Sequence, residues 1–200
     1  MKRVIIFLSL VICLAAIEPY SGEIIIGLVC PVTGPHQAQG EALEAGMNTA
    51  LYYINGFNIT DLPFARTEGL PEFNYYRLTI ITQDDGNNET TAKQAVYDLV
   101  ELEEACVIVG SITSDMSEYV AEACAEMEVP YICPVSTNLD IMDDVREWSF
   151  NITPDSDLMY STLFDFLDYI NDEYRVRNLA LLSIDDTWGS RAAKDISRRA

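Results

Sequence analysis

Basic residues are scarce in this sequence. Its 200 residues hold 12 Lys and Arg against 32 Asp and Glu, a formal net charge of −20. Recognition of phosphate needs a basic patch, so nucleic acid is excluded as a partner, and so is an anionic membrane surface. The acidity itself reads as solubilising charge, because net charge speaks to solubility rather than to fold. Histidine is scarcer still: His36 is the only one. There is no CxxC and no Cys/His spacing of the kind that holds a metal. Asp185-Asp186 is a turn followed by a helix cap, since one short acidic pair cannot fill the shell of a hard cation. The sequence contains neither a GxSxG elbow nor a glycine-rich nucleotide fingerprint. An enzyme would have to draw its acid, base or nucleophile from Ser, Thr, His36 and Asp115. The chain is therefore read as a non-enzyme that uses no metal and no cofactor.

What is present begins with an export signal over residues 1–22. Lys2 and Arg3 supply the positive start, Val4 to Ile17 is an apolar run too short to span a bilayer comfortably, and Glu18 to Gly22 holds an ambiguous cleavage point. The expected location is extracytoplasmic: secreted, periplasmic or at the cell surface. Export permits disulfides. Cys30, Cys106, Cys124 and Cys133 allow three full pairings, and buried thiols are an equal alternative. Asn58, Asn88 and Asn151 each open a glycosylation sequon.

Beyond the signal the chain alternates strand and helix. Continuous apolar runs at Glu23 to Val29, Cys106 to Val109 and Val129 to Ile132 suit strands buried on both faces. Strands are also expected at Tyr75 to Thr82, Trp148 to Ile152 and Asn178 to Ile184. Helical spacing marks Gln37 to Ile54, with Asn55-Gly56 as its C-cap, and Thr90 to Glu104, with Ala95, Val96, Leu99, Val100 and Leu102 inward. A helix capped by Ser114 or Asp115 runs through Met127, another opens at Pro154-Asp155 and reaches about Tyr174, and a last one follows Trp188-Gly189. Phe57 to Phe73 reads as a surface excursion. Such alternation implies a parallel sheet with helices on both faces and a ligand site beyond the carboxyl ends of its strands.

Three loops fall at those ends: Thr33-Gly34, Ser111 to Ser114, and Val135-Ser136-Thr137. The last two offer small hydroxyl residues and backbone N–H groups, a surface suited to a carboxylate. The chain stops inside a helical pattern after one strand of a new unit, which a strand–helix pair cannot complete alone. The expected organisation is a signal at 1–22, a first lobe at 23–153 and an incomplete second lobe at 154–200.

The stretches Ile24 to Gly27, Pro31 to Pro35, Ile54-Asn55, Asp84-Asp85, Val107 to Ser111, Glu128 to Pro134, Asn151 to Asp157 and Asp185 to Gly189 occur in an order that resembles the type I periplasmic binding proteins. The resemblance is to the branched-chain amino acid and amide binders of ABC importers, whose fold also forms the ligand-binding region of several receptors. It implies an α/β, Rossmann-like parallel sheet lobe with the second lobe truncated. It also implies a small amino-acid-like ligand, and as protein partner either ABC transporter membrane subunits or a receptor's own membrane region. It places Ser114 on the ligand carboxylate. Val135 and Thr137 take the places of a carbonyl and a hydroxyl that meet an amino acid, with Ser136 between them. Trp188 stands where an aromatic closes over the ligand. Gln39 stands where the family often has a bulky aromatic, a departure from its pattern.

Overall fold

The computed structural model describes residues 22–56, 69–137, 145, 147–185 and 187–200. All of the expected signal but Gly22, the Asn58 sequon and Asp186 lie outside the described residues. The chain divides into two compact units, one drawn from Met1–Ile25 and Ala45–Ile80, the other from Ile26–Glu44 and Ile81–Ala200. Three elements run through both: β1 (Glu23–Cys30), α1 (Gln37–Gly56) and β2 (Arg77–Asp84).

In the first unit, the expected C-cap pair Asn55-Gly56 forms the last described residues of helix α1, and the Asn55 amide grips the backbone of β2. Its Nδ2 donates to the Leu78 carbonyl at 2.6 Å and its Oδ1 accepts the Leu78 N–H at 2.8 Å. A side-chain amide can satisfy one residue's donor and acceptor together, so Asn55 acts as a short extra strand. The expected excursion is described only from Gly69, where a 3-10 turn at Pro71–Phe73 and an antiparallel bridge between Leu70 and Tyr76 lead into β2.

In the second unit, β3 (Val107–Gly110), β4 (Tyr131–Cys133) and β5 (Ser149–Asn151) join the ends of β1 and β2 in a five-stranded sheet of order β2-β1-β3-β4-β5. The β1–β3, β3–β4 and β4–β5 pairings are parallel. Helices α2 (Glu89–Glu101) and α3 (Ser114–Glu126) pack on each other, and α3 packs on β3 and β4. Leu28, Val29, Val96, Leu99, Ile108, Val120 and Tyr131 are fully buried and form the core. Each such side chain contributes about 1.5–3 kcal/mol by leaving water. Two further helices, α4 (Ser156–Tyr174) and α5 (Thr187–Arg199), complete the elements.

At Gly110 the backbone has φ +122, and a Cβ there would stand 1.8 Å from the Val29 carbonyl oxygen, so β1 and β3 close on each other only around glycine. Gly40 in α1 plays the same part against the loop after β1, where a Cβ would lie 2.1 Å from the Pro31 carbonyl oxygen.

Three sequence expectations are corrected. Asn178 to Ile184 is not a strand: it carries no regular structure, Leu179, Leu181 and Ile184 are exposed, and Leu182 is 102% exposed. A strand is made by a neighbour's hydrogen bonds, and apolar composition without one leaves a bare chain. Leu102 is 71% exposed rather than inward, because α2 ends at Glu101 and Leu102 is its C-cap. The cap of α3 is Thr113, whose hydroxyl accepts the Met116 N–H, so neither Ser114 nor Asp115 has that task. Among the described residues the four cysteines, all beyond the expected signal, form no disulfide; Cys30, Cys124 and Cys133 are buried and Cys106 is exposed.

Candidate functional site

The strand order places the point where the chain changes direction between β1 and β3. The carboxyl ends of parallel strands diverge at such a point and leave a crevice for a ligand. The loops after β1, β3 and β4 border it, all within the second unit.

Two aspartates at the end of β2 hold the first two loops. Asp84 Oδ1 accepts the N–H groups of Val32 at 2.8 Å, Thr33 at 3.3 Å and Gly86 at 3.1 Å, and its Oδ2 accepts the Thr33 hydroxyl at 2.5 Å. Burial on its own would raise the Asp84 carboxyl. The Thr33 hydroxyl and the N–H groups of Gly86, Val32 and Thr33 outweigh it and hold the group below the usual carboxylate value. Asp85 is 1% exposed. Its Oδ2 accepts the Ser111 hydroxyl and its Oδ1 accepts the Asn87 N–H at 2.8 Å. In the sequence these aspartates stand out only as one of the stretches that carry the family resemblance. The signal was there in two acids at a strand's carboxyl end, beside loops rich in N–H donors. Neighbouring Cys30 has its thiol pushed up to about 12, first by burial and then by the charges of Glu44, Asp85 and Asp84.

The loops after β3 and β4 meet through hydroxyls. Because Thr113 caps α3, the Ser114 hydroxyl is available to the loop opposite and accepts the Ser136 hydroxyl at 3.2 Å. Thr137 Oγ1 accepts the indole N–H of Trp188 at 3.1 Å. Thr137 thus accepts from the indole and keeps its own hydroxyl proton to donate elsewhere, while Ser114 and Ser136 share one hydroxyl–hydroxyl hydrogen bond. Ser136 is buried, whereas Val135 and Trp188 are 44% and 42% exposed. The structure thus joins Ser114, Ser136, Thr137 and Trp188 in one cluster, with Val135 at its edge. Gln39 sits exposed in the first turn of α1, and among the described residues no hydrogen bond ties it to the cluster. A separate cavity of about 580 Å³ runs along α4 and the 176–179 segment, lined in part by Phe164, Asp168 and Leu179; it includes none of the cluster residues.

Solved structures share this architecture. An extracellular ligand-binding receptor from Rhodopseudomonas palustris HaA2 is 20% identical, with a TM-score of 0.63, over 89% of this chain and 43% of its own. The branched-chain amino acid transporter substrate-binding protein LivJ from Streptococcus pneumoniae, in complex with isoleucine, is 17% identical with a TM-score of 0.68 over 88% and 46%. A solute-binding protein of an ABC transporter from R. palustris BisB5, in complex with 3,4-dihydroxybenzoic acid, is 15% identical with a TM-score of 0.67 over 88% and 43%. The chain spans less than half the length of these neighbours. No curated protein matches the sequence. The family described as periplasmic binding protein matches residues 23–200. With that match over nearly the whole chain and an α/β parallel sheet of the same architecture, the chain belongs to the type I periplasmic binding protein family.

Proposed function

We propose that this chain is part of an extracytoplasmic solute-binding protein that captures a small amino-acid-like ligand, a branched-chain amino acid or an amide, for the membrane subunits of an ABC importer. Ser114 and Thr137 donate hydrogen bonds to the ligand's carboxylate or amide oxygen. Ser136 braces Ser114, Val135 offers its carbonyl, Trp188 covers the ligand, and Gln39 stands at the rim. The observation that carries this reading is the hydroxyl cluster at the strand ends, in which Ser114 meets Ser136 across the two loops and Thr137 accepts the Trp188 indole N–H and keeps a proton to give. The described part of the cluster offers no nucleophile–base pair, so its chemistry is to hold a solute rather than convert it.

A hydrogen bond to a charged group contributes about 1.5–3 kcal/mol, and 1.4 kcal/mol is a factor of ten in affinity. Ser114→Ala and Thr137→Ala should each weaken binding of the preferred ligand about tenfold or more. Calorimetric titration of the protein and both variants with isoleucine, leucine and short amides provides the test. Unchanged affinity in both variants would show that these hydroxyls serve the loops rather than a ligand.

A further inference from the structure

The sequon Asn151-Ile152-Thr153 takes no part in the ligand reading, yet its side chains converge on the ligand loop. The Ser136 carbonyl oxygen accepts Asn151 Nδ2 at 3.0 Å, Thr153 Oγ1 at 3.2 Å and the Cys133 thiol at 3.9 Å. One residue on, the Thr137 carbonyl oxygen accepts both the N–H and the hydroxyl of Ser156, at 2.9 and 2.7 Å. Two successive carbonyls are thus held by donors from one short segment, which ends β5 and opens α4.

We infer that Asn151, Thr153 and Ser156 form a clamp that fixes the two peptide planes of the ligand loop, so that the Ser136 hydroxyl meets Ser114 and the Thr137 hydroxyl meets Trp188. The orientation of the Asn151 amide is determined within the clamp. Its Oδ1 accepts the Thr153 N–H at 3.1 Å and the Thr153 hydroxyl at 2.9 Å, which turns Nδ2 toward Ser136. Aspartate cannot replace it, because a second carboxylate oxygen would then face the Ser136 carbonyl. The single hydroxyl proton of Thr153 is shared between Asn151 Oδ1 and the Ser136 carbonyl, so loss of that hydroxyl loosens both. Two consequences follow for the site. The carbonyls of Ser136 and Thr137 are occupied, which leaves the loop to address a ligand through hydroxyl donors and the carbonyl of Val135. The sequon at Asn151 is a structural motif, since its part-buried amide nitrogen already has a partner and a glycan there would displace the clamp.

These three are positioning residues, and their role rests on the proposed ligand reading only where affinity is measured. The test uses Thr153→Val, which keeps shape and removes the hydroxyl, and Thr153→Ser, which restores it. The first readout needs no ligand: the indole N–H resonance of Trp188, identified with Trp188→Phe, reports on its bond to Thr137. The second is calorimetric titration with isoleucine. Thr153→Val and Asn151→Asp should move the Trp188 resonance, and Thr153→Ser should return it to the original position. Where isoleucine binds the unaltered protein, Thr153→Val should weaken it at least fivefold and Thr153→Ser should restore it. A Thr153→Val spectrum that overlays the original, or valine and serine variants that behave alike, overturns the clamp. Absence of isoleucine binding with the resonance moved and restored as stated leaves the clamp standing and counts against the proposed ligand alone.

Discussion

Asp85→Ala is the perturbation that the site geometry renders most consequential away from the ligand itself. Asp85 is almost wholly buried and accepts two donors, the Ser111 hydroxyl and the Asn87 N–H. The two donors differ in what happens when the carboxylate goes. Asn87 lies in an exposed turn, where water replaces Asp85. Ser111 is 0% exposed, and its hydroxyl is left buried without its acceptor. A buried polar group in that state costs about 1–3 kcal/mol, and the small void left by the shortened side chain adds to it. The expected loss is about 2–4 kcal/mol. With a urea dependence of roughly 2 kcal/mol per molar, the unfolding midpoint should fall by about 1–2 M. Asp85→Asn should behave differently. One amide oxygen still takes the Asn87 N–H, and the Ser111 hydroxyl can rotate to accept from the new NH₂ group, so the loss should stay under about 1 kcal/mol. Ser111→Ala in the Asp85→Ala background should cost less than in the original protein, because the unpaired hydroxyl is then gone, with a coupling of about 0.5–3 kcal/mol. Urea unfolding followed by circular dichroism on the four chains of that cycle, with Asp85→Asn beside them, measures all of this. Equal losses for alanine and asparagine at position 85, or strictly additive losses in the cycle, would refute the reasoning.

The remaining predictions concern titration and reactivity. The Asp84 carboxyl is held below its usual value in the folded state, so its contribution to stability is complete above the ordinary carboxylate range and is lost as pH falls through its depressed value. Asp84→Asn should therefore flatten the acid limb of a stability–pH profile and leave its neutral-to-alkaline part parallel to that of the unaltered protein; an unchanged acid limb would contradict the assignment. Cys106 is exposed, whereas Cys124 and Cys133 are buried and Cys30 is buried with its thiol pushed up to about 12. A thiol-reactive dye at neutral pH should label Cys106 rapidly and the other three only on unfolding, and prompt labelling of Cys30 would show that its surroundings are more open than described.

The sequence expressed the framework because its signals are local. Three isoleucines in succession announce β1, and the helical spacing of Ala95, Val96 and Leu99 announces α2. The hydroxyls of Ser114, Ser136 and Thr137 were visible as residue types at strand ends. What supports them was not, because it depends on chain crossings. Asp85 reaches Ser111 across 26 residues, and Asn151 reaches Ser136 across 15. Read locally, the first is half of a turn and the second half of a sequon. The cap of α3 fell one residue early for a related reason: Thr113, Ser114 and Asp115 can all cap, and only the backbone angles choose Thr113. Asn178 to Ile184 shows the opposite limit, since its composition specifies a strand and no strand among the described residues pairs with it.

The loop after β1 is held by its backbone and by one side chain, the Thr33 hydroxyl on Asp84. Asp84 grips the N–H groups of Val32 and Thr33, and Gly40 lets α1 close against the Pro31 carbonyl, while Val32, Thr33, Gly34 and Pro35 are exposed. Shape and chemical character are thus governed by different residues. Substitution at exposed Val32 or Pro35 changes the surface of the loop without disturbing the path of the chain, whereas substitution at Asp84 or Gly40 does the reverse. Natural variation should accordingly gather in the first set, and a library confined to those two positions should yield folded proteins at nearly every member.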